Sequence, residues 1–301
     1  MLSINRRINS TPIVLLAAII AATAQPLIAA RALSPQDEKS EKSIAVVLKA
    51  NASVKAKPSA EAEVTYAATR GAEFSVTGST EGWVKVALKT KREGESETEG
   101  WLPEAEVGLK VDHHGKVCVE VSLEKAFELG ALNGEFRGTG ASSGDSILLK
   151  AKNELTAEIC PKFEPGTILE NGNAAAQNMV LSRLMGKPSG MYIRPEVELH
   201  FEPGIEADYI FEAYCVNFSK DNPGNSDTLR VQGPANSDIA KLIALHSNNV
   251  TATQLAIWAV TDNVKAHDVT EKFGATSADI AAARNLMEEA GLSLDSFRLF
   301  R

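Results

Sequence analysis

The period at which apolar residues recur changes once along this chain. From Ile44 to about residue 218, apolar and polar residues alternate in short runs between glycine-rich turns, which is the period-two pattern of β-strands. Over the last 70 or so residues the spacing becomes near-helical, with helix starts expected at Ser237, Thr251 and Ser277 and a stop at Gly291. The sequence therefore predicts a mainly β, α+β fold in which the helices come last.

The first 32 residues have the composition of a secretory signal peptide. Arg6 and Arg7 precede an apolar run over residues 13–24, and Ala30-Arg31-Ala32 resembles a cleavage site. The run is shorter than the roughly 20 residues that a membrane helix needs. We expect an exported protein (periplasmic, extracellular or on the cell surface) with no membrane span after cleavage; an uncleaved anchor is the alternative.

The charge balance excludes one class of partner. The formal net charge is −8, and removing the arginines of the predicted leader makes it more negative. Nucleic-acid binding depends on a basic surface that neutralises phosphates. We therefore expect no nucleic-acid partner.

Three cysteines follow the leader, an odd number for an oxidising compartment. Cys118 and Cys160 lie in strand-like runs of the same region, so we favour a Cys118–Cys160 disulfide with Cys215 left free. The alternative is that all three are small buried apolar residues.

Two domains are expected after the leader. Residues 33–43 are too polar to pack and predict a flexible linker. Residues 44–110 alternate with period two and predict a small β-barrel, with an exposed hairpin loop at the charged insert 89–100. Residues 117–301 predict a β-rich domain with C-terminal helices.

The first domain resembles the bacterial SH3 (SH3b) family. The resemblance depends on ASVKAKPS at residues 52–59, on Gly71, and on two Gly-Trp steps, GWVKV at 82–86 and GWL at 100–102. It implies a binding module of the cell envelope, directed at peptidoglycan or an envelope protein.

Trp83 and Trp101 are the candidate binding residues of this domain. Half-exposed aromatic side chains suit stacking on a sugar or a peptide. The alternative is that both fill the small core, because a domain of this size needs large apolar side chains.

The second domain resembles the thioester-domain (TQxA) family of bacterial surface proteins over residues 205–265. Tyr214-Cys215-Val216 matches its aromatic-Cys-apolar step, and TQLAIW at 253–258 matches its TQxA[I/V]W block. In that family an internal Cys–Gln thioester is attacked by a surface amine, the thiolate leaves, and an amide tethers the protein.

This chain departs from the family at the glutamine that forms the bond. In the family that glutamine lies nearer the C-terminus, and no glutamine follows Gln254 here. A thioester would have to pair Cys215 with Gln254 or with Gln177, which lies in the strand-like run AAQNMVL. Without the bond, Thr251 and Gln254 form a capping box, with Thr253 as the other candidate cap, and Trp258 packs in the core.

A Cys/His cell-wall hydrolase is a further alternative. Cys215 precedes His246, expected on a helix face, and His267, expected in a polar turn. The Asp-Cys-Ser-Gly step common in such peptidases is missing. His113 and His114 would point apart in an extended segment, so we expect no metal site, and no motif indicates a cofactor.

These observations predict a non-enzymatic, exported envelope protein. The SH3b-like module would contact peptidoglycan or another protein, and the thioester-like module would act in adhesion without the covalent bond. A covalent adhesin acylated at Cys215 is the principal alternative.

Overall fold

The computed structural model describes residues 43–88, 98–113, 115–245 and 247–301. The predicted signal peptide, the predicted linker apart from Ser43, most of the predicted loop at 89–100, and both His114 and His246 lie outside these ranges. In the ranges that are described, the helices are all too short or too polar to span a bilayer.

The described chain contains sixteen strands and five α-helices. The strands are β1 (Ile44–Val47), β2 (Asn51–Lys55), β3 (Val64–Thr69), β4 (Glu73–Thr80), β5 (Trp83–Leu88), β6 (Thr98–Pro103), β7 (Val107–His113), β8 (Lys116–Ser122), β9 (Leu132–Gly138), β10 (Ser143–Asn153), β11 (Ile159–Lys162), β12 (Thr167–Asn171), β13 (Met179–Ser189), β14 (Tyr192–Pro195), β15 (Glu206–Cys215) and β16 (Thr228–Pro234). The helices are α1 (Leu123–Glu128), α2 (Ser237–Ala244), α3 (Val250–Asp262), α4 (Ala266–Phe273) and α5 (Ser277–Glu289). The predicted fold class, mainly β with C-terminal helices, is confirmed.

The first sheet has nine strands in the order β11-β8-β7-β1-β4-β5-β6-β2-β3. Its pairs are antiparallel except β11–β8, which is parallel. The strands expected to form the small barrel are the part of this sheet from β7 to β3, and they surround an apolar cluster of their own. Their ladder continues into β8 and β11 through the β7–β8 pairing, so the sheet extends beyond the expected barrel.

The second sheet contains a closed six-stranded barrel. Its order is β12-β16-β9-β10-β15-β13, the β12–β13 pairing closes the ring, and β14 adds to β13 outside it. Closure removes the unpaired edges that an open sheet would present. Strand β15 pairs with β10 on one side and β13 on the other, so its C-terminal end is held from both sides.

Helix α3 is the central helix of the C-terminal segment. Residues 252–259 are all buried, and the helix packs against β10 and β15 of the barrel and against α2 and α5. A helix that is apolar on every side belongs in an interior rather than at a surface. This helix carries TQLAIW, which is thereby placed against the strand that ends in Cys215.

Helix α4 differs from the sequence-based expectation. The segment AHDVT, including His267, was predicted to be a polar turn, but it forms the first part of this helix. Helix α4 is short and polar and buries only Val269, so few apolar residues mark the segment as a helix. Gly274, with φ of 73°, ends the helix in the left-handed conformation that glycine adopts readily.

Candidate functional site

Cys215 is the last residue of β15, and its side chain is completely buried. It lies opposite Met179 in the β13–β15 ladder. Its thiol donates a weak hydrogen bond to Met179 Sδ, with the two sulfurs 3.4 Å apart. The sulfur of this free cysteine is therefore enclosed by the barrel and contacts a thioether.

Burial disfavours the reactive, ionised form of this thiol. Loss of solvation raises the pKa of Cys215 to about 12. Only about one molecule in 10⁵ would then carry a thiolate at pH 7, and the thiolate is the nucleophilic form of cysteine.

Gln254, also fully buried, bonds to the backbone of Cys215 rather than to its sulfur. Its Oε1 accepts from Cys215 N at 3.0 Å, and its Nε2 donates to Cys215 O at 2.8 Å. The side-chain amide of Gln254 thus accepts from the N–H and donates to the C=O of one residue, as the backbone of a neighbouring strand would. It satisfies polar backbone atoms that would be costly to bury unpaired.

The predicted capping box of Thr251 and Gln254 is wrong. Asn249 caps α3 by accepting from Ala252 N at 3.0 Å, and Thr251 is the second residue of the helix. Thr253, the other candidate cap, donates its hydroxyl to Asn249 O. The Gln254 amide does not reach back along the helix to Thr251, because both of its ends bond to the backbone of Cys215 at the end of β15.

Trp258 packs edge-on between two phenylalanine rings. The ring centroids of Phe218 and Phe273 lie 5.0 and 4.9 Å from that of Trp258. Its indole Nε1 is buried and has no hydrogen-bond partner in the part of the chain that the structure describes. Trp258 therefore anchors α3 to α4 and to the loop after β15, as expected of a core residue.

Gln177 does not meet Cys215. It lies just before β13 rather than in the strand, and its Nε2 donates to Lys220 O at 3.1 Å and to Asn222 Oδ1 at 3.4 Å. Its Oε1 is buried without a partner among the described residues. The structure thus places this second candidate glutamine against the loop that follows β15.

A cavity of about 300 Å³ lies beside these residues. Gln177 and Trp258 line it together with Phe218 and Lys272. The Lys272 ammonium lies 5.0 Å from the centroid of the Phe218 ring. The cavity therefore combines aromatic surface with a cation and a side-chain amide.

An ion pair to the buried carboxylate of Glu212, three residues before Cys215, was not predicted from the sequence. Arg183 donates from two nitrogens to Glu212 Oε2, at 2.7 and 3.0 Å, and the Tyr214 hydroxyl donates to Glu212 Oε1 at 2.8 Å. Burial, followed by the Glu212 charge, raises the pKa of Tyr214. The same two causes, in the same order, raise the pKa of Asp145, which pairs with Glu212 in the ladder. A glutamate inside the apolar run YIFEAYC was the available signal, since such a carboxylate needs a partner.

Among the described residues, the structure does not bring a candidate catalytic histidine to Cys215. His267 is about 80% exposed on α4 and lies 3.2 Å from Glu271, whereas the sulfur of Cys215 is enclosed against Met179. His246, the other candidate base, is outside the described residues.

Trp83 and Trp101 lie on the outer face of the first sheet. Val84, Val86 and Leu102, which alternate with them, belong to the buried cluster of this domain. Both tryptophans are partly exposed, and Lys85 Nζ lies 5.9 Å from the Trp101 ring centroid. The alternative that both fill the core is wrong for these positions, while a binding role remains a prediction.

The predicted disulfide between Cys118 and Cys160 is present. It joins the parallel neighbours β8 and β11, with the two Cα atoms 5.8 Å apart.

A comparison with family models identifies the segment built around Cys215. Residues 212–291 match the thioester domain family. The match begins at Glu212 in β15 and ends just after α5, so it contains both Cys215 and TQLAIW. Comparisons with curated proteins and with solved structures gave no match, and no family model supports the SH3b resemblance of residues 44–110. The thioester domain indicates a protein of the surface-adhesin type.

Proposed function

We propose that this is an exported surface protein whose thioester domain binds its target without a covalent bond. The observation that carries the proposal is the pairing of the Gln254 amide with the backbone of Cys215. The amide is fully engaged as a structural group, and the thiol of Cys215 is hydrogen-bonded to Met179 instead.

The chemistry of a thioester sets two requirements that this arrangement does not favour. To form the bond, the thiolate must attack the carboxamide carbon of a glutamine and expel ammonia. To use it, an amine of the target must then reach the bond. The raised pKa of Cys215 keeps the sulfur protonated. Burial of both side chains would also prevent a lysine of a target surface from reaching the bond.

The cavity beside Trp258 supports a non-covalent alternative. Trp258 and Phe218 give it aromatic walls, and Gln177 and Lys272 line it with polar groups. Aromatic walls with a few polar groups are typical of small-ligand pockets.

The outward tryptophans of the first sheet support a second contact. We propose that Trp83 and Trp101 bind peptidoglycan or an envelope protein, with Lys85 beside the Trp101 ring. Purified peptidoglycan should retain the protein at low salt, and Trp83→Ala with Trp101→Ala should release it. Tyr192→Ala, at an exposed aromatic residue of β14, is the matched control. Equal retention of all variants would contradict this contact.

Capture on an amine-bearing protein matrix tests the non-covalent claim. All bound protein should elute in a denaturing wash, and Cys215→Ala should be captured as well as the natural chain. A fraction that survives the wash and depends on Cys215 would instead support a covalent adhesin.

A further inference from the structure

Three metal-binding side chains meet where the first sheet ends. Cys118 Sγ, Cys160 Sγ and His200 Nδ1 all lie within 4.8 Å of one another. Cys118 and Cys160 are on the neighbouring strands β8 and β11. Phe201 exchanges two backbone hydrogen bonds with Ile159, which brings His200 beside Cys160. The three residues are therefore positioned by backbone pairing from distant parts of the sequence.

The histidine is held in place from several directions. The buried Tyr209 hydroxyl accepts from His200 N at 2.8 Å and donates to His200 O at 2.6 Å. On the ring, Nδ1 lies 3.2 Å from both Cys160 Sγ and Glu158 Oε1, and Nε2 lies 3.4 Å from Glu198 Oε2. A metal-binding histidine commonly donates its second ring N–H to a carboxylate, and Glu198 occupies that position.

We propose that reduction of the disulfide converts this cluster into a Zn²⁺ site. Cys118, Cys160 and His200 supply three ligands, and Glu158 or a water molecule supplies the fourth. A dithiol donates two electrons and two protons to the disulfide and becomes oxidised, leaving two thiols on the protein. Zn²⁺ then displaces both thiol protons to form two Zn–S bonds.

The geometry suits tetrahedral zinc. Zn–S bonds of about 2.3 Å at a tetrahedral angle place two sulfurs about 3.8 Å apart. The Cα atoms of Cys118 and Cys160 are 5.8 Å apart, so rotation of the side chains reaches this separation without moving the strands. A cavity of about 220 Å³ lined by Cys160 and Glu198 gives a path for the ion. The oxidised protein lacks both thiolates and so leaves the site closed.

Cobalt serves as a spectroscopic probe for this site. The full chain is reduced with a phosphine, freed of metal and titrated with Co²⁺, and zinc affinity follows from competition with a chromophoric chelator. We expect one ion per chain with the thiolate-to-cobalt absorption of a tetrahedral site, and no such absorption from the oxidised protein. His200→Ala should weaken zinc binding at least about tenfold, since even outer-shell changes have effects of that order.

Matched variants keep the outcome unambiguous. Cys215→Ala removes the third thiol and His267→Ala removes an exposed histidine. Both variants should bind zinc as the natural chain does. If Cys118→Ser retains the cobalt spectrum, or if His200→Ala binds zinc as tightly as the natural chain, the proposal is wrong. Circular dichroism follows folding: if the reduced chain unfolds and zinc does not restore the fold, the proposal is also wrong. None of these results depends on how the thioester domain binds its target.

Discussion

Replacing Gln254 by methionine removes its hydrogen bonds to Cys215 and nearly preserves its volume. The Cys215 carbonyl loses a donor at 2.8 Å, while Cys215 N keeps Ser142 O as an acceptor at 3.1 Å. Leaving the buried Cys215 carbonyl without its partner costs about 1–3 kcal/mol, and loss of one of the two hydrogen bonds of Cys215 N–H costs about 1 kcal/mol more. We therefore expect the free energy of unfolding to fall by about 2–4 kcal/mol.

Thermal and urea unfolding measure this loss. For a protein of this size about 2–4 kcal/mol lowers the melting temperature by roughly 3–8 °C. Gln232→Met, at an exposed glutamine of β16, is the control and should change stability by less than about 0.5 kcal/mol. If Gln254→Met is as stable as this control, the amide does not join α3 to β15 as described.

The remaining predictions concern charge and protonation. Gln254→Glu buries a carboxyl group, and desolvation raises its pKa in the folded protein above the unfolded value. The variant should therefore lose stability as the pH rises from 4 to 8, and a stability that does not change with pH would contradict this. Arg183→Met leaves Glu212 without its cation and should lower the free energy of unfolding in urea by about 1–3 kcal/mol, because the half-exposed Arg183 is partly screened by water. Arg194→Met, on an exposed pair, should lower it by less than about 0.5 kcal/mol. The thiol of Cys215 has a folded pKa above its ordinary value of 9.0, so its contribution is complete below pH 9 and is lost above it. The natural chain should therefore lose about 1 kcal/mol more per pH unit above 9 than Cys215→Ala, and parallel profiles would refute the burial argument.

Local pattern was enough to predict the fold class and the disulfide. Period-two runs with glycine turns identify strands reliably when one face is buried, and Cys118 and Cys160 both lie in such runs. The closure of the second barrel was not predictable, because it depends on the β12–β13 pairing and on register, which no local signal encodes.

The candidate site shows where local reasoning fails. Thr251 and Gln254 have capping-box spacing, yet the helix begins at Val250 with Asn249 as its cap, and the Gln254 amide pairs with Cys215, 39 residues away. The cluster of Cys118, Cys160 and His200 was missed because His200 reaches Cys160 only through the backbone pairing of the adjacent residues Phe201 and Ile159. Both arrangements depend on contacts between residues that are far apart in the sequence.

The intact mass of the protein isolated from its native cells tests the central claim most directly. A thioester removes ammonia and lowers the mass by about 17 Da, which is distinct from the about 2 Da lost on forming the Cys118–Cys160 disulfide. With the N-terminus mapped in the same experiment, we predict the mass of the unmodified sequence less the two disulfide hydrogens. A further deficit of about 17 Da that disappears in Cys215→Ala would contradict a non-covalent thioester domain.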